Sequence, residues 1–340
     1  MIMDLNIIWF LLIAFLYIGF FILEGFDFGV GILLPFLGKN DTERRVLINS
    51  IGPHWDGNEV WLITAGAATF AAFPHWYATM FSGFYPALLL LLFALILRGI
   101  AIEFRSKHES QVWRNTWDWG IFSGSMLSAL ILGVAFANLA KGIPVDSTKT
   151  YTGSLWTLLN PYGLIGGLVT IAGFALIGAI FLSLKTSDQL IERTNIAARK
   201  LWWLTLILTI ILLVATFIYT DIKTHAGFLI SVIIVILLCS LLLVGYSLNR
   251  HRNGWAFCMM GLYIALLLVS CFWIMYPRVI ISSLDPAFSL TIYNASSSPY
   301  TLKIMTIIAL IFVPIVLVYQ GWSYWIFRKR IGTNPKDLTY

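Results

Sequence analysis

Pro53–Phe73 reads PHWDGNEVWLITAGAATFAAF and joins two segments of opposite character. Between Trp55 and Trp61 stand Asp56, Asn58 and Glu59, and the residues that follow, 62–73, carry no charge. Carboxylates at the mouth of so apolar a run need explaining in this chain. Apolar residues make up 59% of its 340 positions and charged ones only 11%, against roughly half and a quarter in soluble domains. A water-soluble fold of this length could not hide that much hydrocarbon. The chain therefore reads as an all-α integral membrane protein. No Gly/Ser/Pro linker, charge block or low-complexity tract divides it, so residues 1–340 are expected to form a single transmembrane domain. The opening MIMDLN has no basic flank and precedes a run too long for a cleavable signal, so no signal peptide is expected.

A hydrocarbon core about 30 Å thick takes roughly 20 apolar residues per helix. Nine spans follow: 6–37, 53–73, 76–105, 117–139, 160–184, 201–220, 226–248, 254–276 and 302–327. The connections after spans 1, 3, 5 and 7, with the C-terminal tail, hold 16 of the 22 Lys and Arg residues, and the opposite side holds 5. That bias places the N-terminus outside and the C-terminus in the cytoplasm. It also accounts for the formal charge of +6 as a topology signal, and no nucleic-acid partner is expected. Trp9, Trp76, Tyr77, Trp202, Trp203, Trp322, Tyr324 and Trp325, near span ends, read as interface anchors. Cys239, Cys258 and Cys271 lie in apolar runs without paired spacing and read as small packing residues.

Ionisable residues inside spans are costly and mark function or tight pairing. Span 1 carries Glu24 and Asp27 three residues apart, on neighbouring positions of one helix face, among Gly25, Gly29 and Gly31. Such glycines admit a close neighbouring helix or a flat cofactor. Span 3 carries Arg98 and Glu103, with Arg98 about two turns deeper than the interfacial Arg105. A buried guanidinium needs a carboxylate, and Glu24, Asp27, Asp56 and Glu59 are the candidates. At span 2, Asn49 or Ser50 is expected to cap the helix, with Pro53 in its first turn. Asp56 and Glu59 then complement the helix dipole. Two acids, Asn58 and His54 exceed what capping requires, which favours a proton path of Asp56, Asn58 and Glu59. His75, His108, His225 and His251 fall in loops or turns, so no axial haem ligand is expected deep in a span. No nucleophile elbow, phosphate loop or zinc signature is present.

The elements EGFDFGVG (24–31), LGKNDTERRVLINSIGPHWDGNEVWLITAGAATFAAFP (37–74) and FSGFYPALLLLLFALILRGIAIEFR (81–105) resemble subunit II of the cytochrome bd quinol oxidases, most strongly over about residues 18–110. The resemblance implies two four-helix bundles plus one extra helix. It also implies a heterodimer whose subunit I holds haem b558, haem b595 and haem d, with subunit II itself binding no haem or metal. Such a complex oxidises quinol, reduces O2 to water and draws its chemical protons from the cytoplasm of a bacterial or archaeal cell. By the same resemblance Glu24, Asp27 and Arg98 support the di-haem site, with Glu103 read into the same charge cluster from its place in span 3, Asp56 belongs to proton supply, and the neighbourhood of Trp61 to oxygen access. Glu24 stands where the family commonly has Asp. A small single-span subunit and membrane lipids are further expected partners.

Two other readings stay open: a proton-coupled secondary transporter and a purely structural assembly subunit. A transporter would repeat its polar cluster in the second half of the chain, whereas here the cluster is confined to spans 1–3. The charge bias predicts that a C-terminal reporter fused after RKRIGTNPKDLTY is active only on the cytoplasmic side. Activity confined to the outer face would overturn the orientation.

Overall fold

The computed structural model describes residues 4–222, 227–332 and 338. Its helices are α1 (Leu5–Leu37), α2 (Asp41–Ile51), α3 (Trp55–Ala72), α4 (Pro74–Gly83), α5 (Tyr85–Phe104), α6 (Gln111–Lys141), α7 (Leu155–Leu158), α8 (Pro161–Lys185), α9 (Asp188–Tyr219), α10 (Gly227–Asn249), α11 (Asn253–Met275) and α12 (Pro299–Ile326). Among the described residues eight of these, α1, α5, α6 and α8–α12, are long and apolar enough to cross a membrane. The expected second span is the exception. Helix α3 has 18 residues, about 27 Å, and its polar first turns lower its apolar content. Lys223, His225 and Lys336 lie outside the described residues.

Three local expectations are corrected. Span 76–105 is broken into α4 and α5 at Phe84, because Pro86 in the first turn of α5 lacks the N–H that would continue a helix through it. Helix α9 begins at Asp188 and α6 at Gln111, so both run past the apolar stretches that mark them. Asn49 and Ser50 do not cap span 2. They lie inside α2, donating side-chain hydrogen bonds to the carbonyls of Arg45 (2.8 Å) and Leu47 (2.6 Å). Helix α3 opens instead after His54, without a side-chain cap.

Helix α2 is amphipathic, capped by Asn40, whose side chain accepts from the Glu43 N–H at 2.9 Å. Its apolar face, Val46, Leu47, Ile48 and Ile51, is buried, and ion pairs hold its N-terminal turns down. Asp118 of α6, itself 1% exposed, accepts from Arg105 (2.5 Å) and Arg44 (2.7 Å). Asp41 accepts from Arg105 (3.0 Å) and Arg114 (2.8 Å). Glu43 pairs with Arg193 of α9, and that hydrogen bond holds its carboxyl below the usual range.

Helix α1 runs through the middle of the molecule, against α3, α6, α8 and α11. Its closest approach is to α8. A Cβ at Gly29 would lie 1.8 Å from the Phe174 carbonyl oxygen, and one at Gly178 would lie 2.5 Å from the Gly29 carbonyl carbon. Two backbones therefore touch, as the glycines of span 1 suggested. Helix α12 is the outlier, with only 6% of its apolar stretch buried within this chain. Trp9, read as an interface anchor, ties α12 to α1: it is buried and donates to Thr306 Oγ1 at 3.0 Å. Of the cysteines, Cys239 and Cys258 are exposed on the helix bundle and Cys271 is half-buried.

At the end opposite the basic loops, strand β1 (Arg278–Ile280) pairs antiparallel with β2 (Leu290–Thr291). The Ile143 N–H donates to the Ile281 carbonyl (2.9 Å) and the Ser297 N–H to the Ala72 carbonyl (2.8 Å). This roof fixes the α3–α4 junction and hence the height of α3.

Gly29→Ala is expected to cost on the order of 1–3 kcal/mol or more, as overpacking does. The melting temperature of the purified assembly should fall accordingly. Gly261→Ala, whose Cβ would sit 3.8 Å from Ile22, should change little. Equal melting temperatures for the two variants would contradict the backbone contact.

Candidate functional site

The buried polar group is assembled from four helices. Helix α1 supplies Glu24 and Asp27, α3 supplies Asn58 and Glu59, and α5 supplies Arg98. Helix α12 supplies Gln320 and Tyr324. Glu24, Asp27, Asn58 and Arg98 are all fully buried. The Arg98 Nη1 donates to Glu24 Oε1, and to Glu59 Oε1 at 2.8 Å. Its guanidinium carbon lies 4.7 Å from the centre of the Phe28 ring and 6.0 Å from Trp55, so aromatic faces supply part of its solvation. Of the four acids that could have balanced Arg98, the geometry selects Glu24 and Glu59.

Asp27 joins through Asn58. The Asn58 amide donates to Asp27 Oδ2 at 2.7 Å and to the Leu23 carbonyl at 3.2 Å. Its oxygen accepts from Gln320 Nε2 and Tyr324 Oη, both at 2.9 Å. Every hydrogen-bonding position of the amide is thereby used, and the side chain is fixed. The Tyr324 ring stacks on buried His54 with centroids 4.2 Å apart. Arg98 Nε and Nη2, Glu24 Oε2 and Asp27 Oδ1 are buried without a partner among the described residues. The group thus keeps hydrogen-bonding capacity that is costly to bury unused.

Exposure falls along α3 and inward. Asp56 is exposed, and its carboxylate accepts from the Gly57 N–H at 2.7 Å. Glu59, three residues on and on the same face, is 23% exposed. Arg98 and Glu24 behind it are at 0%.

One residue read into the charge cluster does not join this group. Glu103 is exposed and makes no ion pair among the described residues. Five residues beyond Arg98, it points about 140° away around α5, so it is no part of the charge cluster. Trp61 lies on α1 rather than beside Arg98: it is 8% exposed, and a Cβ at Gly19 would come within 2.4 Å of its ring.

Sequence reasoning missed Gln320 and gave Tyr324 only an interfacial role. The available signal was an amide inside the apolar run of α12, one turn before a tyrosine. Among the described residues His54 is the one buried histidine, while His75, His108 and His251 are exposed. No group of three or more metal-ligating side chains occurs among the described residues.

Residues 5–327 match the family model of cytochrome bd terminal oxidase subunit II. The chain is 42% identical over 338 residues to the cytochrome bd ubiquinol oxidase subunit 2 of Bacillus subtilis, covering 99% of both chains. It is 39% identical over 366 residues to the cytochrome bd-I ubiquinol oxidase subunit 2 of Escherichia coli K12, covering 98% of this chain and 96% of that one. Its fold matches a chain of the solved bd oxidase of Geobacillus thermodenitrificans with a TM-score of 0.76 at 17% identity, covering 96% of this chain and 100% of the other. With relatives this similar over nearly the whole length, and with the family pattern running through α1, α3 and α5, the chain belongs to the cytochrome bd terminal oxidase subunit II family.

Proposed function

We propose that the chain is the haem-free subunit II of a quinol:O2 oxidoreductase in a bacterial respiratory membrane, and that its buried polar group conducts protons inward from Asp56. The observation that supports this is the graded exposure of a series of acids: Asp56 at the mouth, Glu59 half-buried, then Glu24 and Asp27 fully buried. Asp56 sits at the basic end of the molecule, which the charge bias assigns to the cytoplasm. Water reaches it there and can reprotonate it.

Arg98 keeps its proton at any working pH, so it does not carry protons itself. It holds Glu59 and Glu24 on one guanidinium nitrogen, which brings the two carboxyls together. Two carboxyls, Glu24 and Glu59, pair with this one cation and Asp27 lies beyond them on Asn58, giving the group more proton-binding sites than charge balance alone needs. Asn58, fixed by Gln320 and Tyr324, holds Asp27 at the far side. Haem d of the expected partner would supply the O2-reducing chemistry that consumes these protons. The apolar outer faces of α5 and α12, including Phe93, Ile100, Leu310 and Phe312, are surfaces that subunit I or lipid would cover.

A purely structural role is the competing reading, favoured by the Asp56–Gly57 contact, which is what dipole compensation alone would look like. Asp56→Asn and Glu59→Gln separate the two. Both keep size and most hydrogen bonding and remove an exchangeable proton. Each should leave haem content near wild type while oxygen consumption per haem d falls roughly tenfold or more, within the range for a positioned proton-transfer group. A ratio near one for Asp56→Asn would end its place in the path.

Arg98→Ala strands two carboxyls, at a cost on the order of 3–5 kcal/mol. It should yield complexes with depleted or spectrally altered b595 and d haems. Unchanged spectra and haem content would refute its supporting role.

A further inference from the structure

Two groups of arginines at the basic end differ in their partners. Arg44, Arg105, Arg114 and Arg193 are each matched to a carboxylate around α2. Arg199, Arg250 and Arg252 are not, and they lie with His251 at one corner, where α9 meets the α10–α11 turn and the Arg250 guanidinium sits 5.6 Å from the centre of the Tyr246 ring. There Arg199 Nη2 lies 3.3 Å from His251 Nε2 and donates to the Leu248 carbonyl at 3.5 Å. Its Nε is buried without a partner. Arg250, His251 and Arg252 are exposed, and no ion pair joins any of the three arginines to a carboxylate among the described residues. The acid of α9 described nearby, Glu192, stands about two turns along the helix from Arg199.

The corner is rigid. The Asn253 side chain donates to Asn195 Oδ1 at 3.0 Å, tying α11 to α9. The Arg252 N–H and Arg250 N–H close the turn on the Ser247 carbonyl at 2.9 and 3.2 Å. His251 is held at a φ of 54°, a left-handed conformation that a non-glycine residue adopts at some cost. The turn is therefore not a slack loop in which three arginines simply avoid one another.

Its depth is set by indoles. Trp203 is 59% exposed and Trp255 is 63% exposed, four residues from Arg199 and three from Arg252. Exposed tryptophans of a membrane protein sit at headgroup level. Trp202 is held inward, donating to the Leu241 carbonyl at 2.7 Å, which leaves Trp203 facing out. Cations without acids, on a fixed turn at the depth of lipid phosphates, match one ligand chemistry: a phosphodiester with hydrocarbon attached. Basic pockets between spans on the cytoplasmic side bind anionic lipid headgroups in this way. Gly254, in the first turn of α11, has open space where a Cβ would be, and that helix start has no side-chain cap and no acidic residue in its first turn. These are secondary features compatible with an anion beside the arginines.

We propose that Arg199, Arg250, His251 and Arg252 form a binding site for the phosphate headgroup of an anionic phospholipid at the α9–α10–α11 corner. The site is remote from the Arg98 group and carries no part of the proton path.

The test uses the intact solubilised oxidase assembly, titrated with phosphatidylglycerol or with phosphatidylcholine and read by native mass spectrometry. Arg199→Gln/Arg252→Gln should lower the apparent affinity for phosphatidylglycerol roughly tenfold or more, the scale set by removing two cations at a headgroup. Phosphatidylcholine binding should be equal in both proteins. Arg250→Gln/Arg252→Gln, which alters exposed side chains only, guards against misfolding and should also weaken phosphatidylglycerol binding. Haem content and turnover should match wild type in both variants. Millimolar inorganic phosphate that leaves the phosphatidylglycerol adduct intact supports the lipid as the source. Phosphate that abolishes the difference between wild type and variant would instead assign the site to free phosphate and overturn the lipid proposal. Identical phosphatidylglycerol affinity in wild type and both variants would overturn it outright.

Discussion

A fully buried guanidinium is the constraint around which the first half of this molecule is organised. Arg98 lies about two turns inside an apolar helix, where an unpaired charge would cost several kcal/mol. Its solution reaches to two other helices: Glu24 and the ring of Phe28 from α1, and Glu59 from α3. Each contact fixes a helix in rotation and in height. Asn58, one residue before Glu59, is then directed at Asp27, and α12 is drawn in through Gln320 and Tyr324. The polar group is thus a packing solution as well as the proposed proton site.

A second constraint acts beside it. The backbones of α1 and α8 meet at Gly29 and Gly178 with no side chain between them, so α1 cannot shift to relieve strain in the charge group. On the other side, α2 is pinned by Asp118, Asp41 and Glu43. The mouth that carries Asp56 is therefore presented by a helix whose start is defined by a clamped neighbour. This explains how α3 begins in a fixed place although no side chain caps it.

Much of this was legible in the sequence, for reasons that differ residue by residue. Long apolar runs announce spans because hydrocarbon thickness sets their length. Glu24, Asp27 and Arg98 stood out because charge is rare inside such runs. Span 2 was harder to place, since the polar residues that make it interesting also dilute its apolar signal. The partners of Arg98 stayed open because helix rotation is decided by packing, which no single span encodes. Glu103 was misassigned by proximity in sequence, when five residues around a helix turn a side chain away. Gln320 goes unnoticed and Tyr324 reads only as an interface anchor because they lie some 260 residues from Asn58, in a helix that otherwise reads as lipid-facing. The roof over the α3–α4 junction was not visible either, since its contacts are backbone hydrogen bonds between distant loops, which leave no residue signature.

That last helix has a consequence for how the protein is made. Two of the side chains that complete the hydrogen bonds of Asn58 are carried by α12, which leaves the ribosome after every other helix of the polar group. Until it does, the Asn58 amide and Asp27 are held from one side only. Completion of the polar group is thereby tied to synthesis of α12, and a chain that stops short of it presents a half-satisfied amide within the bilayer. Membrane quality control could recognise such a chain before it engages another subunit.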